Sequence, residues 1–188
     1  GDRGEAQLTE AASAGKGFLS EVCQEWEQEA ELAQQLGTRV VHVRVGVVLA
    51  KDGGALAQML PIFKFGLGGR LGSGQQWFPW IHIDDVVGLF QHAIFHEILV
   101  GPINAVAPGI VTNAGFTEAL ATSLHRPAIF AVPSFVLHLG MGEMADVLLG
   151  STRAIPEVAL ATSYQFKLPL LRAALANLFS VQSSDRQA

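Results

Sequence analysis

The first strong periodicity in the 188-residue chain begins at Phe18, where apolar residues recur at three- and four-residue steps. Polar residues occupy the opposite positions, so the pattern predicts an amphipathic helix over 18–36 that ends at Gly37. The next segment, 39–50, is apolar and mostly β-branched at nearly every position. Such a run is typical of a parallel strand that is covered on both faces.

The remaining pattern alternates between helical and extended segments. It predicts helices with the 3.6-residue period and short strands rich in β-branched and aromatic residues. The helices are expected over 55–67 (bent or interrupted at Pro61), 84–97, 112–125, 133–142, 143–151 and 168–179, and the strands over 76–83, 101–107 and 128–133. Helices between strands indicate an α/β fold with a layered parallel sheet.

Composition narrows the class of protein. Hydrophobic residues make up 49% of the chain, charged residues 15%, and the formal net charge is −5. This balance favours a folded globule and argues against a nucleic-acid-binding surface. No apolar run is long enough for a membrane-spanning helix, and the single cysteine agrees with a reducing compartment. We therefore predict an intracellular protein, cytoplasmic or organellar, with a small-molecule ligand and no membrane or nucleic-acid partner.

The two ends of the chain lack periodicity. Residues 1–17 are expected to form a loop at the cut edge of a longer chain, and 181–188 a disordered tail. The segment 18–180 is expected to hold one folded unit, since no linker divides it.

The stretch QQWFPWIHIDDVVG, residues 75–88, combines aromatic residues, one histidine and two aspartates. Alternation along a strand places Phe78, Trp80 and His82 on one face, where they are predicted to line a substrate pocket. Asp84 or Asp85 stands where the next helix needs an N-cap. His82 and Asp84 supply at most two metal ligands, so no metal site is predicted.

The loop GLGGRLGSG, residues 66–74, does not fit a phosphate-binding motif. The dinucleotide fingerprint fails at Leu71, and a Walker loop fails at Gln75, where lysine is required. Two interpretations remain, a mobile lid and a plain surface loop. Lys64 and Arg70 lie near it and are included in the predicted substrate pocket.

Arg44 lies within the apolar strand, where an unpaired guanidinium would be costly. One interpretation is a salt bridge with a buried carboxylate. The other is a contact with a phosphate or cofactor at the end of a parallel strand, where such sheets bind ligands. The sequence alone leaves both open.

Five motifs in fixed order resemble a known family. They are RVGVVLAKDGG, FGLGG-x-x-GSGQQ, FPWIHIDDV, GPINAVAP-x-x-x-TN and HRPAIFAVP. The series resembles the epimerase-like branch of the short-chain dehydrogenase/reductase superfamily, an atypical extended type. The resemblance covers about Phe18 to Phe179.

The resemblance implies the C-terminal part of a Rossmann-type doubly wound parallel sheet with a small substrate lobe. It also implies an NADP-binding intact protein whose glycine-rich turn lies outside this chain, with Arg44 near the cofactor. The Tyr-x-x-x-Lys pair of short-chain reductases falls on Phe18 or Leu19 and on Val22 or Cys23. Neither pair can protonate a carbonyl. Two functions therefore stay open: an NADP-dependent epimerase or reductase, and a non-catalytic NADP-binding sensor or scaffold.

Overall fold

The computed structural model describes residues 2–142 and 144–180. The predicted tail 181–188 lies outside the described residues. Within them the strands are β1 Gln7–Leu8, β2 Val41–Val45, β3 Val47–Leu49, β4 Gly69–Leu71, β5 Trp77–Phe78, β6 Trp80–His82, β7 Gly101–Ala105, β8 Val111–Thr112, β9 Phe130–Val132 and β10 Arg153–Ala154. The helices are α1 Phe18–Glu31, α2 Gly54–Lys64, α3 Ile83–Phe95, α4 Asn113–Leu124, α5 Ser134–Met141, α6 Met144–Leu149, α7 Glu157–Ala161 and α8 Leu171–Ser180.

The strands pair in a mostly parallel pattern. β2 pairs with β7, β3 with β6, β4 with β9 and β1 with β10, all parallel, whereas β5 and β8 are antiparallel. Helices connect the parallel strands, as the alternating pattern predicted. The mixed α/β prediction is confirmed.

The apolar run 39–50 is not one uninterrupted strand. Its first part pairs with β7 and its second with β6, and the change occurs at Gly46. Gly46 donates its N–H to the Ala105 carbonyl, and the next residue, Val47, donates to the Pro79 carbonyl. A side chain at Gly46 would overlap the Pro79 carbonyl oxygen, and its Cβ would lie 2.9 Å from Val106 Cγ1. Glycine is therefore required where the strand passes from one neighbour to the other.

Both segments that were predicted as loops contain a short strand. The predicted loop 66–74 contains β4, because Gly69 lets the backbone approach the Phe130 carbonyl oxygen closely. The predicted loop 1–17 contains β1, which pairs with β10. Helix α2 continues through Pro61 and is not interrupted there.

The core has two parts on opposite faces of the central strands. Trp80 belongs to the first cluster, with α2, α4 and α8, and Phe78 packs against it. Ile81 belongs to the second cluster, with α3 and β7. The alternation predicted for residues 77–83 is therefore confirmed for these side chains.

The amphipathic helix 18–36 forms as α1 followed by a 3₁₀ turn, Leu32–Leu36, and Gly37 ends it with φ 77°. Its orientation is unexpected. No residue of α1 is buried, and Phe18 and Trp26 are 76% and 71% exposed. The pattern predicts that the apolar face of α1 packs against the protein, but the described residues leave this face exposed.

We predict that Gly46→Ala destabilises the chain by about 1–3 kcal/mol, because an added methyl group overpacks a filled site. Urea unfolding followed by circular dichroism measures the change. Gly140→Ala is the matched control, since a Cβ there meets nothing within 4 Å and alanine favours the helix. An equal effect of the two substitutions would contradict the prediction.

Candidate functional site

Arg44 extends from β2 toward α1. Its guanidinium makes a two-pronged ion pair with Glu27, with Nε 2.7 Å from Oε1 and Nη2 2.6 Å from Oε2. The Arg44 side chain is 39% exposed and that of Glu27 is 26% exposed. The guanidinium is therefore not enclosed in the core, although Arg44 extends from a mainly apolar strand.

The ion pair shifts both groups toward their charged forms. The hydrogen bond from Arg44 lowers the pKa of the Glu27 carboxyl, and the hydrogen bond to Glu27 raises the pKa of Arg44. Arg44 Nη1 also donates to the Glu10 carbonyl oxygen at 3.3 Å. These three contacts leave two of the five guanidinium N–H bonds available to a further acceptor. The salt bridge is confirmed, although its carboxylate is only partly buried, and the cofactor contact stays a prediction.

A second carboxylate, Glu10, lies close to this pair and is only 6% exposed. Its Oε1 accepts from the backbone N–H of Asn104 at 2.8 Å and of Val158 at 3.3 Å. Its Oε2 is buried and has no hydrogen-bond partner among the described residues. A buried carboxylate oxygen without a partner is unusual. The sequence offered no signal for Glu10, because it stands in a polar, aperiodic segment.

A cavity of about 220 Å³ lies between this cluster, α1 and the segment before α1. We call it the Arg44 cavity. It is lined by Arg3, Leu8, Thr9, Ala12, Ser13, Ala14, Gly15, Ser20, Cys23, Gln24, Glu27, Arg44, Asn104, Thr152 and Ala154. Cys23, one of the positions aligned with the lysine of short-chain reductases, is thus at the cavity wall. A thiol there cannot supply the positive charge of that lysine.

The predicted pocket residues of the stretch 75–88 lie mainly in the core. Trp80 is fully buried and donates its indole N–H to the Gly109 carbonyl at 2.9 Å. His82 is 1% exposed, and Phe78 stacks on Phe116 with ring centroids 4.4 Å apart. These three side chains do not line the Arg44 cavity. The expectation that they face open space is corrected, because two core clusters enclose this strand, and a role in substrate binding stays a prediction.

The cap of α3 is His82 and not Asp84 or Asp85. The His82 Nδ1 accepts from the Asp84 N–H at 3.1 Å. Asp84 is exposed in the first turn. Asp85 is fully buried and accepts from the N–H groups of Lys167 and Leu168 at 2.7 and 3.0 Å. The prediction of an aspartate cap is wrong, because each carboxylate has another position in the fold.

The state of the His82 ring follows from this bond. Because Nδ1 accepts, the proton of the neutral ring is on Nε2, which has no hydrogen-bond partner in the part of the chain described. Burial lowers the pKa of His82, and the negative charges of Asp84 and Asp85 oppose this shift. Burial therefore favours the neutral form of the ring, which is the form that caps α3.

Lys64 and Arg70 lie apart from the stretch 75–88. Lys64 is exposed in the last turn of α2, and its carbonyl oxygen accepts from Arg126 Nε at 2.9 Å. Arg70 is exposed on β4 and lines a second cavity, of about 540 Å³, beside α4 and β9. The five predicted pocket residues are thus not brought together at one cavity.

Among the described residues, no group of three or more His, Cys, Asp or Glu side chains is arranged to hold a metal ion. No helix in residues 2–142 and 144–180 is long and apolar enough to span a membrane.

The chain is similar to several known proteins. A family model described as a domain of unknown function matches residues 132–178. An epimerase family protein of Mus musculus is 46% identical over 162 residues, which are 86% of this chain and 55% of that protein. An epimerase family protein of Mycobacterium leprae is 44% identical over 154 residues, 81% of this chain and 50% of that protein.

A solved structure of a human epimerase family protein with NADPH has a TM-score of 0.88 and 41% sequence identity, and the match covers 93% of this chain and 59% of that one. The chain belongs to the atypical, epimerase-like branch of the short-chain dehydrogenase/reductase superfamily. Its fold is that of Rossmann-type epimerase domains, as predicted. The chain spans about half the length of the curated relatives it matches.

We predict that the His82 cap makes stability fall with acid. A histidine pKa lowered by folding gives stability that is present above its ordinary value of about 6.5 and is lost as the pH falls through the folded value. His82→Asn keeps a capping side chain that does not titrate, so its free energy of unfolding should change less between pH 7 and 5.

Urea unfolding at several pH values measures the slope of the free energy of unfolding against pH. His138→Gln, a change at an exposed histidine on α5, is the control and should keep the wild-type slope. If His82→Asn also keeps it, the buried ring does not carry the pH dependence.

Proposed function

We propose that the intact protein binds NADP and acts as an epimerase- or reductase-like member of its superfamily on a small-molecule substrate. The observation that carries the proposal is the likeness, at 41% identity and a TM-score of 0.88, to a human relative crystallised with NADPH. The cofactor is taken from that relative's structure, and the substrate class from the family. An intracellular location is part of the proposal, and one relative, from Arabidopsis thaliana, is chloroplastic.

The Arg44 cavity is the place in this chain that best suits such a function. It joins a charged clamp, Arg44 with Glu27, to Asn104 and to Cys23, one of the positions aligned with the lysine of short-chain reductases. The two unused N–H bonds of Arg44 could bind an oxygen of the cofactor. Glu10 is a buried carboxylate beside this cluster, and its Oε1 accepts from the backbone N–H of Asn104.

The alternative is a protein that binds NADP without turning over a substrate. It is favoured by α1 itself, because Phe18 or Leu19 stands where the acid would be needed, and Val22 or Cys23 where the lysine would be needed. A titration of NADPH fluorescence followed by a screen of carbonyl substrates separates the two. Binding with turnover supports the enzyme, and binding without turnover supports the sensor.

We predict that the 188-residue chain alone binds NADPH weakly or not at all. The pyrophosphate of a dinucleotide is ordinarily held by a glycine-rich turn and the N-terminus of a helix, and the loop at Gly66 does not fit that motif. Calorimetry on this chain, with the human relative as positive control, makes the test. Low-micromolar affinity of the chain alone would overturn it.

We predict that Arg44→Met weakens NADPH binding in the intact protein more than Glu27→Gln does. Both substitutions break the ion pair, but only the first removes the guanidinium, so the difference reports a direct contact. Fluorescence titration gives the two dissociation constants, and urea unfolding checks that both variants are folded. Equal weakening would make Arg44 a structural residue that acts through α1.

A further inference from the structure

The second cavity runs along one face of α4. At about 540 Å³ it has the size of a small-molecule site. Its lining is Arg70, Ala114, Thr117, Glu118, Ala121, Thr122, His125, Arg126, Ala128, Ile129, Phe130 and Ala131. It shares no lining residue with the Arg44 cavity. Six of the twelve residues are apolar, so a bound molecule would meet alanine, isoleucine and phenylalanine side chains over much of its surface.

A nearly buried threonine lines this space. Thr117 is 5% exposed and belongs to the lining, and its hydroxyl makes no hydrogen bond within residues 2–142 and 144–180. A threonine hydroxyl inside a helix commonly bonds to the carbonyl oxygen of the preceding turn. Ser123, on the same helix, does so with Ala119 at 2.9 Å. Thr117 does not, and its donor and acceptor capacity is left for a molecule in the cavity.

The charges at the cavity are mainly positive. Arg70 has no ion pair or hydrogen bond from its guanidinium within the described chain, and its stem is close to Gly74, where an added Cβ would lie 3.1 Å from Arg70 Cδ. Arg126 uses Nε for the Lys64 carbonyl, which leaves both Nη groups. Glu118 is the one acidic residue of the lining and pairs with neither arginine. His125, the fourth titratable group, adds a further positive charge when it is protonated.

We propose that this cavity binds an oxyanion, a carboxylate or a phosphate, carried by a small apolar body. Arg70 and Arg126 hold the oxyanion, because guanidinium groups match the planar and tetrahedral oxygens of these anions. The Thr117 hydroxyl donates a hydrogen bond, and the apolar lining covers the rest of the ligand. The proposal extends the substrate contact expected at Arg70. The proposal can be tested independently of NADP binding, because the titration contains no cofactor.

The test is a titration of the 188-residue chain observed by two-dimensional ¹H–¹⁵N NMR. The probes are benzoate, its uncharged analogue benzamide, and inorganic phosphate, all at constant ionic strength. Benzoate or phosphate is expected to shift the amide signals of Thr117, Glu118 and Ala131 saturably, and benzamide is not. Tighter binding of benzoate identifies a carboxylate ligand, and tighter binding of phosphate identifies a phosphate ligand.

Two variants and a control make the result specific. Arg70→Gln should weaken binding about tenfold, as expected for a hydrogen bond to a charged group. Thr117→Val keeps the shape of the side chain and should weaken binding several-fold. Arg172→Gln, at an exposed arginine of α8 outside the cavity, should bind as wild type does. The proposal is overturned if neither anion gives saturable shifts, if benzamide binds as well as benzoate, or if Arg70→Gln changes nothing.

Discussion

The close approach of Gly46 to the Pro79 carbonyl is the constraint on which the central strands depend. It lets one apolar segment pair first with β7 and then with β6. The first pairing sets Arg44 opposite Asn104, the residue whose N–H binds Glu10. The second sets Leu49 opposite His82, at the start of α3. The absence of a side chain at Gly46 therefore permits both the polar cluster at the Arg44 cavity and the capping of α3 by His82.

A buried carboxylate, that of Asp85, also holds together segments that lie far apart in the chain. Asp85 accepts from two backbone N–H groups of the segment before α8, and the Tyr164 hydroxyl donates to its Oδ1 at 3.3 Å. Burial and the Asp85 charge raise the pKa of Tyr164, so its hydroxyl stays a donor. Tyr164 fits because Gly88 leaves room for its oxygen. These contacts join α3 to part of the segment 132–178 that the family model matches.

The orientation of α1 bears most directly on function, because this helix lines the Arg44 cavity. Its polar face is directed to the sheet, where Glu27 pairs with Arg44 and Glu31 lies 3.7 Å from His42. A helix that packs through ion pairs and exposes phenylalanine and tryptophan has an apolar face suited to a further protein surface. The match with this chain covers only about half of each of these relatives. The Arg44 cavity lies under the same helix, so what covers α1 also bears on what the cavity binds.

The sequence by itself determined the fold class and most of the longer elements. Periodicity reports local backbone geometry and the amphipathic nature of each segment, which is why α1, α3, α4 and the stop at Gly37 were predicted correctly. Tertiary structure alone decided which face of α1 packs, where the strand 39–50 changes partner and which residue caps α3. It also decided that Glu10 lies beside Asn104, 94 residues away, and that Lys64, Arg70 and His82 do not share one cavity. These outcomes depend on contacts between distant segments, and the period of hydrophobic residues carries no information about which segments meet.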